Sequence, residues 1–269
     1  MDTDWQERYA TAHRARVIED DETRALTMSC DVAFNFLGER MTMAKTHPPE
    51  LLETLRQFDA PTVANAIEVF DIQPRNTGFM DASIRCMFPD MGVMVGYACT
   101  AIIAANHQPP NPLPVERPDW WRKVAETPAP RVVVMQDSDP QPVGSFWGEV
   151  QGNIHKALGC IGLVTNGGVR DMDEVRALDF QFYASTVLVS HAYVHLVAID
   201  VPVSVGGMVV NPGDLIHADK HGAQVIPHDI AAQIPEAVAK IAANEARIIE
   251  TCKSQDFTIE KLIETYNYV

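Results

Sequence analysis

An arginine and an aspartate stand side by side at the end of the run Gly159-Cys-Ile-Gly-Leu-Val-Thr-Asn-Gly-Gly-Val-Arg-Asp171. The run reads as a strand, Ile161 to Thr165, that stops at Gly167-Gly168 and places Arg170 and Asp171 where the next helix begins. In open α/β sheets ligands gather at the carboxyl ends of strands. Arginine offers a planar fork for a carboxylate or enolate oxygen, and aspartate a hard oxygen ligand for a divalent cation. Upstream, Gly144-Ser-Phe-Trp-Gly-Glu-Val-Gln-Gly152 reads as a glycine-flanked helix start whose unpaired amides favour an anion such as a carboxylate. Spacing alone leaves blander readings open. Asp171-Met-Asp-Glu174 fits a capping box, so Asp171 can simply cap its helix, and Arg170 can simply pair with a nearby carboxylate.

The elements that must position these residues follow from hydrophobic period and turn chemistry. Leu51, Leu52, Leu55 and Phe58 share one face of a helix over Pro48 to Phe58, and Pro61 suits the first turn of a second helix ending near Phe70. Strands are expected at Gly92 to Ala105, Val132 to Met135, Ile161 to Thr165, Phe182 to Ala184, Val197 to Val205, Val209 to Asn211, Leu215 to His217 and Gln224 to Ile226. Helices are expected at Ser145 to Leu158, Asp171 to Leu178, Asp229 to Cys252 and Thr258 to Tyr266. The proline-rich segment about 108–130, with Trp120 and Trp121, reads as an insertion with a short helix at Asp119 to Glu126, the kind of loop that serves as a lid or interface. Alternating strands and helices followed by a strand-rich run predict an α/β sandwich in which helices cover mixed sheets. Residues 1–45, with a possible helix at Cys30 to Arg40, read as an N-terminal extension to a single domain over 46–269.

Composition narrows the classes. Lys plus Arg is 21 and Asp plus Glu is 36, a net charge of −15, which opposes nucleic acid or an anionic membrane as the main partner. The five cysteines, Cys30, Cys86, Cys99, Cys160 and Cys252, include no CxxC pair, so reduced, mostly buried thiols are expected rather than disulfides or structural zinc. The first residues carry no apolar leader, and the apolar stretch Tyr183 to Val205 is broken by His191, His195 and Asp200, so a soluble, cytoplasmic protein is expected. His191 and His195 lack the His-Glu-x-x-His context of a zinc helix, and His217, Asp214, Asp219 and His221 read as turn residues. Gly206-Gly207 reads as backbone geometry, and Ser145 has neither a base partner nor a nucleophile elbow.

Taken in order, Gly148-Glu149-Val150, Gly159-x-x-Gly162, Gly167-Gly-Val-Arg-Asp171, Val205-Gly-Gly-Met-Val-Val-Asn-Pro-Gly-Asp-Leu-Ile-His-Ala-Asp219 and His221-Gly222 resemble the RraA-like family over about residues 48 to 250. That family includes class II pyruvate aldolases acting on 4-hydroxy-4-methyl-2-oxoglutarate and 4-carboxy-4-hydroxy-2-oxoadipate, oxaloacetate decarboxylases, and a regulator that binds an endoribonuclease. The resemblance implies a layered αββα sandwich of the swivelling-domain type and a homo-oligomer, a trimer or dimer of trimers, with sites between subunits. It implies that Asp171 binds Mg²⁺ or Mn²⁺ directly and that Arg170 holds the keto-acid oxygen. The amides of Gly148, Glu149 and Val150 would hold the substrate carboxylate, with Glu149, and Glu245 from the adjacent subunit's long C-terminal helix, reaching the metal through water. Two positions depart from the aldolase pattern: Asn65 and Asn166 stand where acidic residues are usual.

The implied reaction is carbon–carbon cleavage beside a 2-oxo group, releasing pyruvate from a 4-hydroxy-2-oxo acid or from oxaloacetate. A divalent cation and Arg170 would both stabilise the enolate as it forms. Retro-aldol cleavage also needs a base for the C4 hydroxyl proton, which water ordered by Glu149 can supply; decarboxylation does not. The alternative is a non-catalytic binding protein on the same fold, against which Glu149, Arg170 and Asp171 together argue. A methyltransferase is discounted, because no glycine-rich nucleotide loop follows a first strand.

Overall fold

The computed structural model describes residues 45–267, and they pack as one unit. The helix expected at Cys30 to Arg40 lies outside the described residues, as does nearly all of the expected extension. The chain enters through two helices, α1 (Pro49–Leu55) and α2 (Ala60–Glu68). The Asp59 carboxylate caps α2 by accepting the amide of Thr62, and Pro61 occupies its first turn as expected. Next come β1 (Arg85–Cys86), β2 (Met94–Ala104), α3 (Arg117–Glu126), β3 (Arg131–Asp137), α4 (Glu149–Ala157) and β4 (Cys160–Thr165). They are followed by β5 (Gly168–Val169), α5 (Met172–Ala177), β6 (Gln181–Ala184), β7 (Thr186–Val187), β8 (His195–Ile199), β9 (Val203–Val205) and β10 (Met208–Val210). The chain closes with β11 (Leu215–Asp219), β12 (Gly222–Ile226), α6 (Ile234–Lys253) and α7 (Ile259–Asn267).

One mixed eight-stranded sheet runs β1-β6-β4-β3-β2-β11-β12, with β8 pairing the far half of β2. Its centre, β6-β4-β3-β2, is parallel, and β1, β8, β11 and β12 are joined antiparallel. Strand alternation sorts the core. Val133 and Met135 of β3, with Cys99, Ala101 and Ile103 of β2, face a cluster holding Trp120 of α3 and Val175 of α5. At the other end of that face, Val95, Tyr97 and Leu215 meet Leu55, Val63, Ile67, Ile234 and Val238 from α1, α2 and α6. The opposite parity, Val132, Val134, Ala98, Val164 and Ile216, packs on the β9–β10 hairpin through Val203, Val205, Met208 and Val210. Helices therefore cover one face while a small second sheet fills the other, the layered mixed α/β arrangement that the sequence predicts.

Several boundaries differ from expectation. The single strand expected over Val197 to Val205 is two: Asp200 takes a positive φ of 56° and Pro202 supplies no N–H, so β8 stays on β2 while β9 turns away into the hairpin. Gly206 and Gly207, with φ of 54° and 75°, make the tight turn of that hairpin, as the paired glycines suggest. Helix α4 begins at Glu149 rather than Ser145, because residues 144–148 form the loop that faces the candidate site. Helix α3 begins two residues earlier than expected, and α6 is preceded by a 3₁₀ turn, Ala231–Gln233. His217 is no turn residue: it is fully buried in β11, where its Nε2 lies 3.2 Å from the Phe58 carbonyl. Asp219 does more than form a turn, accepting the Ala60 amide at 3.0 Å and the His221 ring at 3.0 Å, so it ties the β11–β12 hairpin to α2.

Candidate active site

Strands β3 and β4 are parallel neighbours, so their carboxyl ends open side by side and the two loops that leave them must run together. They do: Trp147 bridges Val169, and the Arg170 amide donates to the Trp147 carbonyl at 3.1 Å. Trp147 is buried at 1% exposure among Phe146, His155, Phe180 and Phe182, which fixes the first loop from below. Ser145 serves the same loop, its hydroxyl donating to the Trp147 carbonyl at 2.6 Å, and is structural, as its lack of a base partner implies. Asn166 holds the second loop to β3: its amide oxygen accepts the Asp137 amide and its NH₂ donates to the Asp137 carbonyl, both at 2.8 Å. An ionised aspartate could make only one of those bonds. Departure from the acidic pattern at this position thus has a local structural reason.

Asp171 is the centre of the arrangement. Its backbone is left-handed, φ 53° and ψ 51°, at the N-cap position of α5, yet its side chain makes no bond to that helix. The carboxylate turns instead to the neighbouring helix, where Oδ2 accepts the Glu149 amide at 2.9 Å. The capping-box reading is therefore corrected: Asp171 caps α4, not α5. Gly148 makes this possible, because a Cβ there would lie 2.3 Å from Asp171 Oδ2. Arg170 Nε lies 3.9 Å from the same oxygen, beyond hydrogen-bond range, and its guanidinium has no hydrogen-bond acceptor among the described residues.

Gly148, Arg170 and Asp171 line an open cleft of about 420 Å³, within the range of small-molecule sites. Its remaining walls come from Ser145, Phe146, Val150, Gln151, Arg117 and Pro109, with the loop His191-Ala-Tyr-Val194 opposite. Of the three amides expected to take an anion, Glu149's is already committed to Asp171. The first-turn amides of Val150 and Gln151 have no helical carbonyl to bond. The Glu149 side chain is exposed beside the cleft and does not line it. Glu245 lies on the exposed part of α6 and Asn65 on an exposed position of α2, and neither lines the cleft of this chain. His191 and His195 occupy a loop and a strand rather than one helix face, and no group of three or more His, Cys, Asp or Glu residues suited to a metal occurs among the described residues.

Beneath the cleft, His155 is completely buried in α4. Its Nε2 accepts the Trp120 indole N–H at 2.8 Å while Nδ1 faces the Gln151 carbonyl at 2.8 Å, an arrangement that requires the neutral ring protonated on Nδ1. Burial pushes its pKa down to about 4. Trp120 belongs to α3, so this bond docks α3 onto the helix whose first turn borders the site. Asp137, at the end of β3, is 2% exposed, and burial raises its carboxyl above the usual range.

A family model described as RraA-like, Aldolase/RraA, matches residues 60–225. The chain belongs to the RraA-like family. A relative from Halalkalibacterium halodurans, provisionally named a 4-hydroxy-4-methyl-2-oxoglutarate aldolase, is 31% identical over 121 residues, covering 44% of this chain and 58% of that protein. Protein DlpA of Legionella pneumophila is 28% identical over 138 residues, 51% of this chain and 22% of the relative. The match thus spans less than two thirds of either curated relative. Among solved structures, an uncharacterized Pseudomonas syringae protein superposes with a TM-score of 0.64 at 23% identity, covering 85% of this chain and 99% of that one. Streptomyces coelicolor RraAS2, described as an unusual member of the RNase ES inhibitor RraA protein family, gives 0.60 at 22%, covering 75% and 96%. These two likenesses show the RraA-like fold.

Sequence reasoning missed Arg117, Gln151, His191 and Tyr193 as walls of the cleft of this RraA-like protein. Only Arg117 carried a signal, as a cation in the segment read as an insertion.

Proposed function

We propose that this RraA-like protein is a divalent-metal-dependent carbon–carbon lyase that releases pyruvate from a 2-oxo acid, by retro-aldol cleavage of a 4-hydroxy-2-oxo acid or by decarboxylation of oxaloacetate. One observation carries the reading: the Asp171 carboxylate is turned off its own helix and held beside Arg170 and the first turn of α4, on a cleft wall. The donor set fits a cation that keeps most of its water. Asp171 Oδ2 is engaged by Glu149, Oδ1 has no hydrogen-bond donor among the described residues, and Gly148 clears the space around the carboxylate. Mg²⁺ and its like are commonly held by one or two carboxylates together with substrate oxygens and water. Asp171 would hold the ion directly, with Glu149 and the Glu245 of a neighbouring copy reaching it through water. When bound, the metal supplies Lewis-acid polarisation of the substrate carbonyl.

The protein's own groups divide the remaining work. The amides of Val150 and Gln151 bind the C1 carboxylate at the positive end of α4. Arg170 donates to the keto oxygen, and its bonds strengthen as that oxygen takes negative charge, which lowers the barrier rather than merely tightening binding. Glu149, exposed beside Gly148, orders the water that takes the C4 hydroxyl proton in a retro-aldol reaction. Residues 46–269 serve as the catalytic domain, with the insertion shaping the substrate end of the cleft. The direct test is pyruvate release from oxaloacetate and from 4-hydroxy-4-methyl-2-oxoglutarate with Mg²⁺ or Mn²⁺ and then with chelator. Chelator-sensitive release above a protein-free control with the same metal supports the proposal. No release from either by folded, metal-supplied protein would favour the non-catalytic binding role instead.

A further inference from the structure

Arg117 belongs to no part of that machinery, yet it lines the same cleft as Arg170, Asp171 and Gly148. It opens α3, the helix of the insertion, and its guanidinium carbon sits 5.9 Å from the centre of the Phe146 ring. Phe146 is itself 6% exposed, so the ring is a fixed platform for the cation. Three residues on, and so on the same side of α3 as Arg117, Trp120 is fully buried and bonded to His155 of α4. Arg117 is therefore held in register with the helix that begins at the site, not carried on a free loop. No described residue forms an ion pair with it, although the neighbouring Arg122 and Lys123 both pair with carboxylates. In a chain of net charge −15, a cleft cation that no carboxylate among the described residues neutralises is placed for an anion from outside.

Resting on the lyase reading, we propose that Arg117 is the specificity-determining residue of this site: it binds a second carboxylate at the end of the substrate remote from the 2-oxo group. The preference of the cleft for 2-oxo dicarboxylates over 2-oxo monocarboxylates then rests on Arg117. Arg170 and the amides of α4 take one end, and the insertion takes the other. A guanidinium on an aromatic platform suits a planar carboxylate, and the paired bonds fix its orientation as well as its affinity.

Calorimetric binding separates this from a structural role. The probes are 2-oxoglutarate, a dicarboxylate with no C4 hydroxyl to cleave from, and 2-oxobutyrate, a monocarboxylate, each titrated with Mg²⁺ into the full chain and into Arg117→Gln. Wild type is expected to prefer 2-oxoglutarate by roughly tenfold or more, the scale of a charged hydrogen-bonded pair. Arg117→Gln should erase that preference while leaving 2-oxobutyrate binding unchanged, and Arg117→Lys should retain part of it. Equal affinity for both acids in wild type, or a preference that survives in Arg117→Gln, overturns the role of Arg117 alone. Failure of wild type to bind either acid overturns the lyase reading and this inference together. A general loosening of the insertion would weaken both acids alike, and that outcome too counts against the proposal.

Discussion

Gly148→Ala isolates the geometry around Asp171. The backbone at 148 is extended, φ −167°, so alanine brings no backbone strain, only a methyl 2.3 Å from the Asp171 carboxylate. The carboxylate must move, and a misplacement on the order of 1 Å in a catalytic group costs about 100-fold in rate. Pyruvate release should fall by about that factor, while stability falls only by the loss of one helix cap, about 1 kcal/mol. Asp171→Asn keeps the oxygen that accepts the Glu149 amide but removes the charge. It should fold normally and lose turnover by at least about 100-fold, since an electrostatic contact worth several kcal/mol is deleted. Full activity in that variant would remove the metal assignment. The position of Arg170 and Asp171 was legible in sequence because the double glycine ends the apolar run of β4 and the pair falls just before α5. The direction of the Asp171 side chain was not, because the same Asp-x-x-Glu spacing serves a capping box, and only the neighbouring loop from β3 decides which helix is capped.

At the scale of elements, the docking of α3 on α4 has a measurable signature. His155 is neutral in the folded protein, with its pKa lowered from 6.5 to about 4 by burial. Unfolded chains take up the proton first, so this contribution to stability is complete above pH 6.5 and is lost as pH falls toward 4. Its size is on the order of 3 kcal/mol. Unfolding midpoints measured between pH 7 and pH 4 should fall, and His155→Gln should flatten that part of the profile. Trp120→Phe leaves the His155 Nε2 acceptor without its donor and should cost about 1–3 kcal/mol, read as a lower melting temperature. Most elements were readable from period and turn residues: the apolar, β-branched run Val132 to Met135 marks the central strand β3, and Pro61 and Gly206-Gly207 mark a helix start and a hairpin turn. Misreadings came where a local pattern was continuous but the fold was not. Val197 to Val205 looks like one apolar run, yet Asp200 and Pro202 break it because β2 can pair β8 only over its far half. His217 looks polar in sequence and is buried, because the carbonyls of Leu55, at the end of α1, and of Phe58, just beyond it, lie beside its ring.

For the whole molecule, the cleft of one chain holds Asp171, Arg170 and Arg117 but not Glu245, which lies on the exposed part of α6. In the proposal Glu245 comes from a neighbouring copy, so the site would be shared between copies. Asp171→Asn and Glu245→Gln should each lose activity alone, and mixing them under conditions that let subunits exchange should restore part of it, because some mixed sites are wild type at both positions. Lack of recovery in mixtures shown to contain hybrid oligomers would place the whole site in one chain. No helix among the described residues is long and apolar enough to cross a membrane. The metal-dependent lyase activity is read most directly as pyruvate release, followed by coupled reduction, from oxaloacetate and 4-hydroxy-4-methyl-2-oxoglutarate, comparing wild type with Asp171→Asn in Mg²⁺ and in chelator. Wild type with metal should release pyruvate, and release above the protein-free background should be lost both on chelation and in the variant. Release above that background that persists in chelator, or in Asp171→Asn, would contradict the metal-dependent lyase reading.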